Sequence, residues 1–221
     1  MSVLYIIATP IGNLEDLSFR ALRILKEVDL ILCEDTRVTK KLLSHYQISK
    51  PTISYYQHSK LLKSKYILEE LKKGKNLALV SDAGTPTISD PGAQLIDYLT
   101  NQLEDLKIIP IPGSSALITA LSISGFSADK FVFLGFPPSK KKRKKFFQEV
   151  FDSKYTVVFY ESCHRIIRTL EELDSTLQIV VCRELTKKFE TTYRGTSEEI
   201  INQLKEDKIK GEFVVIIQRN K

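Results

Sequence analysis

Three Gly/Pro-rich turns carry residue types able to hold a small polar ligand. They are Ala8-Thr9-Pro10-Ile11-Gly12-Asn13, then Ser81-Asp82-Ala83-Gly84-Thr85-Pro86 running on into Thr87-Ile88-Ser89-Asp90-Pro91-Gly92, and Pro112-Gly113-Ser114-Ser115. Each follows a short apolar run that reads as a strand. Glycine in such a turn permits positive φ and lets the main chain come close to a ligand. Serine and threonine hydroxyls, with the unpaired amides of a following helix, supply hydrogen bonds. Asp82 and Asp90 add carboxylates suited to a cationic amine or to ribose hydroxyls. Gly, Pro, Ser and Asp are also what ordinary turns are made of. The functional weight comes from three such turns at equivalent strand ends, where α/β sheets place their ligands. No G-x-G-x-x-G and no P-loop occurs in the 221 residues, which argues against NAD(P) and ATP.

The elements that must position these turns alternate along the chain. Strands are expected at Val3–Ala8, Leu30–Cys33, Leu77–Ser81 and Ile108–Ile111. The second half adds Phe131–Leu134, Thr156–Tyr160, Gln178–Cys182, Thr191–Arg194 and Phe213–Gln218. Continuous apolar runs such as Tyr5-Ile6-Ile7-Ala8 suit strands buried on both faces. Helical spacing appears in Phe19, Leu22 and Leu25 of Phe19–Val28. It recurs in Ile67, Leu68 and Leu71 of Ser64–Lys73, with Gly74 as the stop. Ile166, Ile167 and Leu170 share a face after Ser162, and Thr196-Ser197-Glu198-Glu199 reads as a capping box opening the last helix. The pattern predicts an α/β chain with mostly parallel sheets. The Gly/Pro break at Ile111–Ser115 places the boundary between an N-terminal α/β domain, 1–112, and a C-terminal α/β domain, 113–221.

Charge is unevenly placed. Lys140, Lys141, Lys142, Arg143, Lys144 and Lys145 form one basic run, and without them 27 basic residues face 27 acidic ones. The whole net charge of +6 therefore sits in one segment, as for a local polyanion contact. A solvated helix start is the plainer reading of the same run. A membrane surface finds no support in an apolar face or lipidation motif. No apolar run reaches membrane-spanning length. Met1–Ala8 lacks the basic segment of a secretory signal, so none is expected. Cys33, Cys163 and Cys182 show no C-x-x-C spacing, which fits a reducing cytoplasm. His45, His58 and His164 lack the spacing of a zinc motif, so no metal is expected.

The same turns, with further segments, resemble a known family. The segments are Ala8–Asp16, Cys33-Glu34-Asp35-Thr36-Arg37, Leu79–Pro86 with Ile88–Gly92, Pro112–Ala116, Phe133–Pro138, Tyr160–Arg165 and Arg183–Lys187. In order and over essentially the whole chain they are similar to the ribosomal RNA small-subunit 2′-O-methyltransferases, within the tetrapyrrole methylase superfamily. The resemblance implies a two-domain tetrapyrrole methylase-like fold and S-adenosyl-L-methionine bound in an interdomain cleft. It also implies a homodimer, and methylation of a cytidine ribose in the decoding region of 16S rRNA on the 30S subunit. Methylation of a corrin precursor by the same fold is the alternative. Members of the family often carry a further C-terminal segment after the stretch matching Gly211–Val215.

Residue by residue, the resemblance assigns the cofactor to Pro10, Ile11, Gly12, Asp82, Gly84, Thr85, Ser114, Ser115 and Tyr160, with Asp82 at a polar end of the cofactor and Tyr160 beside the adenine. Core packing is the other reading of Tyr160. A ribose hydroxyl is a weak nucleophile, so a base or cation must help its proton leave. Asp35, Arg37 and Lys187 are the leading catalytic assignments, with Glu34 and Glu161 behind them. An Asp35–Arg37 pair can equally be structural, and Lys187 can act as a base only if its pKa is lowered. His164 reads equally as a structural histidine or an RNA contact. Lys140–Lys145 would lie against rRNA phosphates.

Overall fold

The computed structural model describes residues 2–55 and 61–218, so His58 lies outside the described residues. The chain divides into two compact units, Met1–Ser115 and Ala116–Lys221.

The first unit runs β1 (Val3–Ile7), α1 (Phe19–Glu27), β2 (Leu30–Cys33), α2 (Thr36–His45), β3 (Thr52–Ser54), α3 (Leu61–Lys72), β4 (Leu77–Val80), α4 (Ala93–Thr100) and β5 (Lys107–Ile111). Its sheet has the order β3-β2-β4-β1-β5 and every pairing in it is parallel. Strand alternation sends Ile7, Ile31, Cys33, Ala78 and Val80 to one face, where Ala21, Ile24 and Leu25 of α1 and Leu42 and Leu43 of α2 cover them. Leu4, Leu30, Leu32, Leu77 and Leu79 go to the other face, under Ile67, Leu68 and Leu71 of α3 and Leu95 and Leu99 of α4.

Two neighbouring strands therefore lead in opposite directions. After β1 the chain crosses through α1 towards β2. After β4 it crosses through α4, on the opposite face, towards β5. Right-handed crossovers in opposite senses require helices on opposite faces. The gap between β1 and β4 at their carboxyl ends is the switch point where open α/β sheets take ligands.

The second unit runs α5 (Ala116–Ser124), β6 (Phe131–Phe133), α6 (Arg143–Asp152), β7 (Thr156–Ser162), α7 (Ile166–Glu171), β8 (Ile179–Arg183), β9 (Thr191–Gly195), α8 (Ser197–Glu206) and β10 (Glu212–Ile217). Its sheet has the order β6-β7-β10-β8-β9. Helices α6, α7 and α8 pack on one face through Phe146, Val150, Ile166, Leu170, Ile200 and Leu204, while α5 packs on β10. Five of the eight described strand pairings are parallel, and the three antiparallel ones all fall in this sheet. Seven residues join β8 to β9. That is too short for a parallel crossover and long enough for a hairpin.

Local signals hold at several helix ends. Thr196 and Glu199 form the expected capping box at α8. Gly74, with φ of 83°, follows the end of α3. Phe19 departs from expectation. Leu25 is buried, yet Phe19 is 93% exposed, because the buried stripe of α1 is Ala21, Ile24 and Leu25. Phe19 is the first residue after the Ser18 cap, and two residues before Ala21 it points about 200° round the helix, away from that stripe.

Candidate functional site

The turns after β1, β2, β4 and β5 are stitched together at one edge of the first sheet. Thr9 donates its N–H to the Gly84 carbonyl at 2.9 Å, and Gly84 donates back to the Thr9 carbonyl at 3.0 Å. The Thr9 hydroxyl donates to the Ser81 carbonyl at 3.0 Å. Ala8 donates its N–H to the Ile111 carbonyl at 3.2 Å, and the Thr85 hydroxyl donates to the Ser114 carbonyl at 3.2 Å. Pro10 and Ile11 are buried, so they shape the rim from beneath, while Gly12 is exposed. Ile11 lies 3.4 Å from where a Cβ on Gly84 would sit. Ser114, at a half-buried position with Ser115, also reaches the Asp16 carbonyl at 3.5 Å. Pro10, Ile11, Gly12, Asp82, Gly84, Thr85, Ser114 and Ser115 thus all belong to the stitched turns at this edge. Tyr160 belongs to the second unit.

The loop after β4 is conformationally unusual. Thr87, Ser89 and Gly92 all have positive φ, at 74°, 61° and 138°. A β-branched residue in that region is rare, and such strain persists where surrounding structure fixes it, often at ligand clamps.

Carboxylates collect at the β2 and β4 ends. Asp82 accepts the Asp35 N–H at 3.0 Å, tying the two turns together. Burial raises the Asp82 carboxyl, although the Asp35 N–H it accepts draws it partly back. Glu34 is raised by burial and by Asp82 and Asp35. Asp90 is pushed up to about 6 by burial and then by Glu34. These groups destabilise one another's charge, so a cation among them would be favoured. Such a donor set suits a cationic group of a small ligand. Among the described residues no cluster of metal-ligating side chains occurs.

The expected catalytic residues fare differently. Asp35 caps α2 through the Arg37 N–H at 2.8 Å and pairs with the Arg37 guanidinium at 2.6 Å. Its hydrogen bonds to Arg37 hold it down at about 2, too acidic for a useful base near neutrality. Lys187 is likewise not tuned as a base. Burial would lower its pKa, but hydrogen bonds to Glu184 and Glu212, both at 2.9 Å, outweigh it and hold the ammonium charged. Glu161 is fully buried. It accepts from the Thr169 hydroxyl at 2.6 Å and pairs with Arg165 at 2.7 Å, which marks it as structural. Asp90 has the acid–base tuning those residues lack. From sequence it reads only as a turn carboxylate, because its shift arises from burial and from Glu34, which lies far away along the chain.

In the second unit, Tyr160 packs edge-on against Phe133 and Phe136 at 4.9 and 5.4 Å. His164 is exposed. The basic run divides. Lys140, Lys141, Lys142, Lys144 and Lys145 are exposed, whereas Arg143 is buried. Arg143 donates through Nε to both Glu172 oxygens at 2.9 and 3.0 Å, and through Nη2 to the Thr169 hydroxyl at 2.7 Å. Arg143 and Arg165 also donate to the Pro138 and Pro137 carbonyls at 3.1 and 2.8 Å, bracing the segment that carries the lysines. Of the six expected phosphate contacts, Arg143 is instead a framework residue.

A sequence model of the tetrapyrrole (corrin/porphyrin) methylases matches residues 3–201, and the chain belongs to that family. Solved structures agree on the fold. Cobalt precorrin-4 methyltransferase, a cobalamin biosynthetic enzyme, superposes with a TM-score of 0.70 at 17% identity over 98% of this chain and 94% of its own. Diphthine synthase gives 0.71 at 14% identity over 99% and 90%. Much nearer in sequence are proteins named ribosomal RNA small subunit methyltransferase I. That of Halalkalibacterium halodurans is 47% identical over 98% of this chain and 76% of its own length. That of Bacillus subtilis is 47% identical over 99% and 75%, and that of Leptospira biflexa 42% identical over 99% and 92%.

Proposed function

We propose that this chain is an S-adenosylmethionine-dependent methyltransferase acting on the small-subunit ribosomal RNA, and that its product is a 2′-O-methylated cytidine in the decoding region of 16S rRNA. The observation that carries the reading is 47% identity, over nearly the whole chain, to proteins named for that activity. The stitched turns at the β1/β4 switch point and the exposed lysines after Pro138 support it. The reading entails a cytoplasmic enzyme acting on the 30S subunit, and a homodimer.

The cofactor supplies a methyl group activated on a sulfonium. Asp82 and Glu34 hold its cationic part, while Gly84, Thr85, Ser114 and Ser115 line the approach with main chain and hydroxyls. Pro10, Ile11 and Gly12 shape the floor. Much of the acceleration would come from these turns binding and orienting the ribose hydroxyl. Asp90 takes the proton the hydroxyl loses, since its pKa of about 6 suits a base near neutrality. Asp35 and Arg37 fix the turn after β2. Lys140, Lys141, Lys142, Lys144 and Lys145 face rRNA phosphates.

The test is methyl transfer from labelled S-adenosylmethionine to 30S subunits lacking the modification, beside a corrin precursor as acceptor. Label in 16S rRNA, mapped to a cytidine ribose, is the expected result. Label in the corrin alone would overturn the assignment.

A further inference from the structure

The second unit contains a concave groove of about 560 Å³ lined by α6, the residue Lys140 ahead of it, and α7. That volume lies within the range of about 300–1,000 Å³ typical of small-ligand clefts. It is far larger than one phosphate needs. Lys140, Arg143, Lys144 and Arg168 line it against a single carboxylate, Glu172. Glu172 is already engaged by Arg143 at 2.9 Å and by Arg168 at 3.1 Å. The groove therefore keeps a surplus of positive charge in a concave wall, where field lines are focused. Glu172 also fixes the Arg168 guanidinium, so that less freedom is lost when it binds an anion.

Two further features sharpen the picture. Lys142, between Lys140 and Lys144, has a left-handed backbone with φ of 67°. Of the exposed lysines in the run, Lys140 and Lys144 line the groove, and Lys141, Lys142 and Lys145 do not. Half-buried Phe151 on α6 adds an apolar edge to the same lining, while Phe147, one turn earlier, is buried with the Arg143 guanidinium 5.0 Å from its ring centroid. Cations next to aromatic surface are what single-stranded nucleic acid uses, the phosphate meeting the charge and the base the ring.

We propose that the α6–α7 groove receives one nucleotide of single-stranded RNA, its phosphate between Lys140, Lys144 and Arg168 and its base along Phe151. This rests on the RNA-substrate reading above and deepens it, replacing a flat basic face with a defined subsite.

Fluorescence anisotropy with a short labelled single-stranded RNA, over a range of salt concentrations, tests it. K144Q and R168Q are each expected to weaken binding by about 3- to 10-fold and to lower the salt slope by about 0.7. K141Q, in the same run but outside the groove, is expected to give a clearly smaller loss. R168K should recover most of the affinity, and unchanged thermal denaturation of R168Q shows that the effect is not misfolding. F151L should erase any preference for a normal oligomer over an abasic one. Equal losses for K141Q and K144Q, or full affinity in R168Q, would overturn the subsite while leaving the RNA reading intact. Failure of the unsubstituted protein both to bind the oligomer and to methylate 30S subunits would instead overturn the RNA reading itself.

Discussion

The Asp82 carboxylate accepts the main-chain N–H of Asp35 at 3.0 Å and so joins the ends of two adjacent parallel strands, β2 and β4. The bond crosses 47 residues of sequence. It leaves a half-buried carboxylate at the rim of the switch point, where its charge is uncomfortable without a cation. Asp82 thus has one oxygen in the framework and a charge available for a ligand.

Those two roles separate by substitution. Asp82→Asn keeps an oxygen for the Asp35 amide and removes the charge, so its melting temperature should stay near that of the parent protein. Affinity for S-adenosylmethionine should fall by about 10- to 100-fold, the size of a lost charge-assisted hydrogen bond. Asp82→Ala should lose both affinity and several degrees of thermal stability. Calorimetric titration and thermal denaturation report the two separately, and undiminished cofactor affinity in both variants would remove Asp82 from the site.

Asp90 links activity to pH. Its folded-state pKa, about 6, lies above the ordinary value of 3.8. The folded protein therefore holds this proton more tightly than the unfolded chain does. The contribution of this group to stability grows as pH falls through 6 towards 4 and is lost above 6. Activity runs the other way, since a base must be ionised, and should rise to a plateau as pH passes 6. Asp90→Asn should lower kcat by about 100-fold, abolish that acidic limb and raise the melting temperature at pH 7.5. A kcat–pH profile unaltered by the substitution would exclude Asp90 as the base.

Gly92 cannot accept a side chain. A Cβ there would lie 2.8 Å from Leu79 Cδ2 and 3.0 Å from Thr87 Cγ2, at a φ of 138°. Gly92→Ala should destabilise the first unit by about 1–3 kcal/mol, measured by chemical denaturation. It should also weaken cofactor binding, because it displaces the loop that carries Asp90.

Arg143 and its lysine neighbours should behave oppositely. Arg143→Ala takes a donor from the buried Thr169 hydroxyl, leaves Glu172 with Arg168 alone and removes the brace on Pro138, at a cost of about 1–3 kcal/mol. Lys141→Ala should leave the denaturation midpoint unchanged. Equal stability of the two variants in urea would contradict the framework role of Arg143.

The sequence was most readable where one physical rule decided the outcome. Leu30–Cys33 is a strand because an apolar run that short is buried on both faces, and Thr196-Ser197-Glu198-Glu199 caps a helix because its groups satisfy one another locally. Thr52–Ser54 was missed because three half-buried residues after a proline give no periodic signal. Arg143 looks identical to the lysines beside it until Glu172, 29 residues on, folds against it. Asp90 and Asp35 are both turn aspartates by sequence. Only their surroundings, burial beside other carboxylates in one case and a guanidinium in the other, send one towards neutrality and the other to strong acidity.

Thr9 and Gly84 are joined main chain to main chain. A join of that kind survives replacement of nearly every neighbouring side chain. Lineages can therefore exchange the groups that choose a methyl acceptor without dismantling the frame beneath, and one architecture can serve acceptors as unlike as a nucleic acid and a macrocycle.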